Sequence, residues 1–153
     1  FCFEPVNDNY ELLLENIKLN NITNIIPFNC AVSQNSSKVK IFLNDDQSSH
    51  SMFIPNSESI EVPSISIHDI FKENEIKKCD LLKLDCEGAE YDIIKSIKQE
   101  FFGFINKISI EYHFADSKPD LLEELVKKLK KSFFHITTRE LFSDIGFLFA
   151  TRK

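Results

Sequence analysis

The sequence predicts an α/β domain, a mostly parallel sheet with helices on both faces and one antiparallel strand at an edge. Three observations predict it. Segments with helical and strand-like periods alternate along the chain, and Cys79 to Asp85 is mostly apolar, as a strand buried on both faces of a parallel sheet is. The last two strand-like segments read as a hairpin-like pair.

Asn7 to Asn20 places Tyr10, Leu13, Leu14 and Ile17 at the i, i+3, i+4, i+7 spacing of an amphipathic helix, with Asn7 or Asp8 as its N-cap. Asn24 to Val32 reads as a strand. The polar turn Ser33 to Ser37 leads into Lys38 to Leu43, whose alternation predicts a half-exposed strand in an antiparallel excursion. The loop Asn44 to Ser59 is rich in Asp, Ser and Asn, and a loop of that length in a compact domain is often functional; its His50 and Ser51 either cover an acceptor or are merely solvated. Ile60 to Ile67 is extended again, followed by a short helix around His68 to Glu73.

After the apolar strand, Glu87-Gly88 opens a helix through Phe101 with Ile93, Ile94, Ile97 and Phe101 on one face. Ile105 to Tyr112 is the next strand. Pro119 sits in the first turn of a helix whose inner stripe is Leu121, Leu122, Leu125, Val126 and Leu129. Lys127, Lys128, Lys130 and Lys131 in its last turns read as a solvated face that complements the helix dipole, not as a nucleic-acid patch. Phe133 to Thr138 and Gly146 to Thr151 close the chain as strands.

At 153 residues the chain is long enough for one core and hardly for two. Lys plus Arg number 18 against 24 for Asp plus Glu, a net charge of −6, which disfavours a polyanionic partner such as nucleic acid. No apolar run has the length of a membrane span, so no membrane partner is expected. Cys2, Cys30, Cys79 and Cys86 lack a CxxC spacing and read as buried free thiols, which points to a reducing, cytoplasmic compartment.

The stretch Asp80 to Glu90, DLLKLDCEGAE, sets four carboxylates around a short apolar run and one of the chain's three glycines. Ligands of open α/β sheets bind at the carboxyl ends of the strands. On that rule Glu4, Asn29 to Val32, Asp85 with Glu87, and Glu111 with His113 all fall at strand ends and should line one crevice, where a helix N-terminus partly neutralises the acids. Lys83, within the strand, should pair with a carboxylate or emerge at the crevice.

Phe3-Glu4-Pro5 ending a strand, a helix with Asn near its end (LLLENIKLNN), an extended segment ending in Ala31-Val32, then LLKLDCEGAEYDII and ISIEYH together resemble the FkbM family of S-adenosylmethionine-dependent methyltransferases. The similarity runs over nearly the whole chain and is most specific at Lys83 to Glu90 and at Glu111-Tyr112-His113. It implies a Rossmann-like class I methyltransferase sheet in a single domain over residues 1–153, with S-adenosylmethionine as cofactor and a sugar or other hydroxyl, small-molecule or glycan, as acceptor. Methyltransferases of this class begin with a strand and a glycine-rich turn at the cofactor's methionine part. Gly88, Gly103 and Gly146 lie elsewhere, and Phe1 opens on what reads as the end of a buried strand, so that turn is expected upstream of Phe1.

With that resemblance, Glu4 is assigned to the ribose hydroxyls, since a strand-end carboxylate can accept two charge-assisted hydrogen bonds, and Cys30, Ala31 and Val32 to the adenine ring. Asp85 is shared between cofactor and chemistry. A hydroxyl acceptor needs a general base or a metal that lowers its pKa. His113 is the economical base, or else a packing histidine. Asp85, Glu87 and Glu111 are alternatively hard oxygen ligands for a divalent cation, though no spacing names one. Glu87 and Glu90 also have bland readings, as a cap and as a residue that favours the helix dipole. Two other functions stay open: a non-catalytic binding module or inactive remnant, and, disfavoured by charge, a metal-dependent phosphodiesterase built on Asp85-x-Glu87.

Overall fold

A computed structural model describes residues 1–44, 50–52 and 56–152. The chain forms a mixed α/β structure of two compact units, Phe1–Ser66 and Ile67–Lys153.

In the first unit β1 (Cys2–Phe3) leads into α1 (Asn7–Leu19) and returns as β2 (Pro27–Phe28), parallel to β1. Helix α1 has the expected bounds, but Val6, not Asn7 or Asp8, holds the N-cap position. The carboxylate of Glu4 takes over the work of a cap: its Oε1 accepts the Val6 N–H at 2.8 Å. Asn24 to Val32 is not one strand. It breaks at Asn29-Cys30 into β2 and β3 (Ala31–Ser33), and the Asn29 amide turns back to donate to the Glu4 carbonyl at 3.0 Å. Strands β3, β4 (Ser37–Leu43) and β5 (Glu58–Ser66) form a sheet in the order β3-β5-β4, with β4 antiparallel at the edge. Val6, Ala31, Ile41 and Val62 are the buried core of this unit. Ser51 is bridged to Phe42 and buried, and His50 Nδ1 accepts the Asn44 N–H at 3.0 Å. The two residues suggested as a cover are thus tied to the end of β4; residues 45–49 and 53–55 of that loop lie outside the described residues.

The second unit contains α2 (Ile67–Glu73), β6 (Leu82–Asp85), α3 (Glu90–Ser96), α4 (Gln99–Phe102), β7 (Lys107–Tyr112), α5 (Pro119–Lys131), β8 (Phe134–Phe142) and β9 (Ile145–Arg152). The helix expected through Phe101 breaks after Ser96, where Ile97 and Lys98 turn extended. The sheet order is β6-β7-β9-β8. Strands β6 and β7 are parallel, and β9 is antiparallel to both β7 and β8.

Two expectations about the sheet are corrected. Parallel and antiparallel pairings are equally frequent among the described strands, and the reversed strand β9 is interior, not at an edge. The reason is connectivity. Helix α5 carries the chain from β7 past a gap one strand wide, and the tight turn after β8 forces β9 back antiparallel into that gap. Nor is β6 buried on both faces. Among the described residues it pairs on one side only, with β7, and its burial alternates: Leu84 is buried while Lys83 and Asp85 are exposed.

The alternation runs across the whole sheet. On one face Leu84, Ile110 and Leu148 are register partners, as are Leu82, Ile108 and Ala150. The crossovers β6-α3-β7 and β7-α5-β8 advance in the same direction, so right-handed connections put α3 and α5 on this same face. There Ile93, Ile94, Leu125 and Leu129 complete the core.

Gly146 makes one close approach in this sheet possible. A Cβ on it would lie 2.2 Å from the Tyr112 hydroxyl oxygen and 2.7 Å from the Arg139 carbonyl oxygen. Gly146→Ala should therefore cost about 1–3 kcal/mol, the scale of overpacking. Chemical denaturation checks it: an unchanged midpoint would mean that Tyr112 moves aside freely.

Candidate functional site

The sheet face opposite the crossover helices carries a row of register partners at the carboxyl end of β6 and β7: Asp85, Glu111, Phe147 and Arg139, one from each strand. None of the four is buried. His113 stands two residues beyond Glu111, and its ring atoms come close to the same carboxylates. Ligand atoms of Asp85, Glu111 and His113 all lie within 4.8 Å of one another. Three of the four catalytic candidates thus meet in space, and the fourth, Glu87, reaches the group through His113.

The turn after β6 builds the rest. Glu87 has φ 49° and Gly88 φ 105°, so the chain reverses through the left-handed region before α3 begins at Glu90. This turn carries the Glu87 carboxylate to within 3.5 Å of His113 Nε2. It also lets Glu90 fold back beneath the turn. Glu90 is fully buried; its Oε2 accepts the Gly88 N–H at 2.9 Å, and its Oε1 accepts the His113 backbone N–H at 2.9 Å and lies 3.1 Å from His113 Nδ1. The Tyr91 hydroxyl donates to the His113 carbonyl. His113, itself 5 % exposed, is therefore held at its backbone N–H, its carbonyl and one ring nitrogen.

These contacts show what compensates Asp85, Glu87 and Glu90 of DLLKLDCEGAE. A helix end is not the main agent. Asp85 pairs with Lys83 Nζ at 2.9 Å, which supplies the carboxylate partner sought for Lys83. Glu87 and Glu90 share His113. Burial pushes the Glu87 carboxyl up from its ordinary value, with nearby His113 pulling against it. Burial lowers the His113 imidazole, but its bond to Glu90 and the charges of Glu90, Glu87 and Glu111 outweigh that, so the net shift is upward. Past His113, Asp144 of the β8–β9 turn anchors the chain by accepting the N–H groups of Asp116 at 2.8 Å and Ser117 at 3.0 Å.

The remaining candidates lie in the first unit. Glu4 is half-buried, and desolvation raises its carboxyl above the usual range against the Val6 hydrogen bond. Ala31 is buried, whereas Cys30 and Val32 are half-buried. All four cysteines are free and half-buried, less enclosed than the sequence implied.

Glu90 is the residue of this cluster that sequence reasoning undervalued. Its position in the first helical turn offered a sufficient bland role, and the signal that could have singled it out was the adjacent glycine: a turn at Gly88 is what brings a carboxylate two residues later back under the strand end. Tyr91 and Asp144 carried no local signal, because their partners are 22 and 28 residues distant.

No curated protein and no solved structure is significantly similar to the chain. The family model described as the methyltransferase FkbM domain matches residues 1–147, which include Glu4, the Cys86–Glu90 turn and His113. With nearly its whole length matched, the chain belongs to the FkbM methyltransferase family.

Proposed function

We propose that the protein transfers a methyl group from S-adenosylmethionine to a hydroxyl of a small-molecule or glycan acceptor, a sugar being the acceptor type the family implies, and that His113 is the general base. The observation that carries this reading is a buried histidine clamped at the strand end beside Asp85 and Glu111, in a chain of this family. A hydroxyl is a weak nucleophile near neutrality, so a held base and carboxylates that orient the O–H are the help it needs. Phe147, next in register to Glu111, supplies apolar surface on which the acceptor body can lie.

The residues of the first unit fit the cofactor. A carboxylate offers about four lone-pair sites, and the Val6 N–H takes only one of those on Glu4. Glu4 would hold the ribose hydroxyls, while Cys30, Ala31 and Val32 would face the adenine; Asp85 has a part in both cofactor and acceptor binding. S-adenosylmethionine supplies an electrophilic methyl on a sulfonium. The fold belonging to this reading is a Rossmann-like class I sheet working as one domain. Among the described residues no helix is long and apolar enough to cross a membrane, and the free thiols suit a cytoplasmic setting.

Glu4→Gln tests the cofactor half. The amide oxygen can still accept the Val6 N–H, so the fold should persist, while loss of the charged acceptor should weaken S-adenosylmethionine binding by about 1.5–3 kcal/mol. Calorimetry measures it, and an unchanged affinity in a folded variant would reduce Glu4 to the cap of α1.

A second reading has its own support. The close approach of Asp85, Glu111 and His113 suits a divalent cation that would lower the acceptor's pKa, with two hard oxygens and one imidazole nitrogen as donors. Transfer of label from S-adenosylmethionine to a panel of simple glycosides and phenols, with and without chelator, separates the two readings.

A further inference from the structure

We propose that Glu90 is a positioning residue that fixes which nitrogen of His113 carries the proton: it holds the proton on Nδ1 and leaves the lone pair on Nε2. The inference deepens the proposed function and rests on its reading of His113 as the base, but it can be tested without turnover.

Neutral imidazole has one N–H, and two carboxylates compete for it. Glu90 lies 3.1 Å from Nδ1; Glu87 lies 3.5 Å from Nε2, beyond good hydrogen-bonding range. Their settings differ as well. The Glu90 side chain is fully enclosed and is oriented by the N–H groups of Gly88 and His113, so its Oε1 is fixed in place before the imidazole is considered. The Glu87 side chain is 26 % exposed and sits on the turn, where water can serve it. A buried carboxylate loses most if a donor is withheld, because water cannot take that donor's place. Glu90 therefore takes the Nδ1–H, and Nε2 is the nitrogen left to receive a proton.

The proton account closes on this assignment. The acceptor's O–H proton would move to Nε2 as the oxygen takes the methyl group, the sulfonium keeping the electron pair of its broken C–S bond and leaving as the neutral thioether S-adenosylhomocysteine, while Nδ1 keeps its own proton. The imidazolium so formed has a carboxylate at each end, Glu90 at Nδ1 and Glu87 at Nε2. It returns its Nε2 proton to water. The opposite tautomer would present an N–H to the acceptor and could not act as a base.

The experiment is nitrogen-15 NMR of the imidazole in the full chain, free of metal, at a pH where His113 is neutral. In the wild-type protein Nε2 should resonate as an unprotonated nitrogen and Nδ1 as a protonated one. Glu90→Gln, whose amide cannot accept from Gly88 and His113 together, should shift both resonances toward exchange between tautomers. Glu87→Gln should leave them in place. Glu90→Asp, shorter by one methylene, should give an intermediate shift and serves if the glutamine variant does not fold. A wild-type spectrum with the proton on Nε2 overturns the proposal whatever the variants do, as does an unshifted spectrum in a folded Glu90 variant. Loss of turnover in His113→Ala bears on the base itself, so the two ideas can fail separately.

Discussion

His113→Ala should lower turnover by about 100- to 10,000-fold, the usual worth of a general base, while S-adenosylmethionine affinity changes little. The side chain is 6 % exposed and its backbone is held independently, by Glu90 at the N–H and by Tyr91 at the carbonyl, so the strand end should stay in place when the ring is removed. The pH dependence has a definite sign. Base catalysis needs the neutral imidazole; since the nearby carboxylates hold its pKa above the ordinary histidine value, kcat/KM should rise with pH along a limb displaced to higher pH than a free histidine would give. If a cation does the work instead, chelation abolishes turnover, added divalent ion restores it, and Asp85→Asn and Glu111→Gln are at least as damaging as His113→Ala. Near-wild-type turnover in all three variants on a true acceptor would sink both readings.

Periodicity located α1, β4, β5, β7 and α5 to within a residue or two, because each has a clear polar and apolar side. It failed at Asn29-Cys30 and at Ile97-Lys98, where apolar residues recur on both sides of a backbone break; hydrophobicity marks burial, not direction. It also misplaced the reversed strand. Pattern alone shows that β8 and β9 form a hairpin but not that β9 fills the gap beside β7, which depends on how far the α5 crossover travels. At the site, Asp85 and Glu111 stood out because acids that end apolar runs have few bland roles, whereas His113 read equally well as a packing histidine; the structure brings the three together. The clamp on His113 was not, since it depends on the Glu90 side chain folding back across 23 residues of sequence.

Gly88→Ala should be the most damaging single methyl in the second unit, costing on the order of 2–4 kcal/mol from strain and overpacking together. Two effects combine there. With φ at +105° the residue sits where an L side chain is strained, and a Cβ would fall 2.3 Å from Phe114 Cε2. Phe114 cannot easily withdraw its backbone, because it is itself left-handed at φ 63° and the chain just after it is tied to Asp144. The two parts are separable by a double-mutant cycle. Phe114→Ala removes the ring that the methyl meets and should recover the steric share but not the backbone share, so Gly88→Ala should cost less in the Phe114→Ala background by 1 kcal/mol or more, roughly the coupling of residues in direct contact. Activity should fall further than stability requires. The Gly88 N–H is one of the donors that orient Glu90, and the same turn carries Glu87 to His113, so a displaced turn disturbs the imidazole from both ends. Denaturation midpoints and turnover measured on the same four proteins decide the matter. If Gly88→Ala costs the same with and without the Phe114 ring, the requirement for glycine lies in the backbone alone; if it costs nothing in either background, the left-handed turn beneath His113 is not the structure that holds this site.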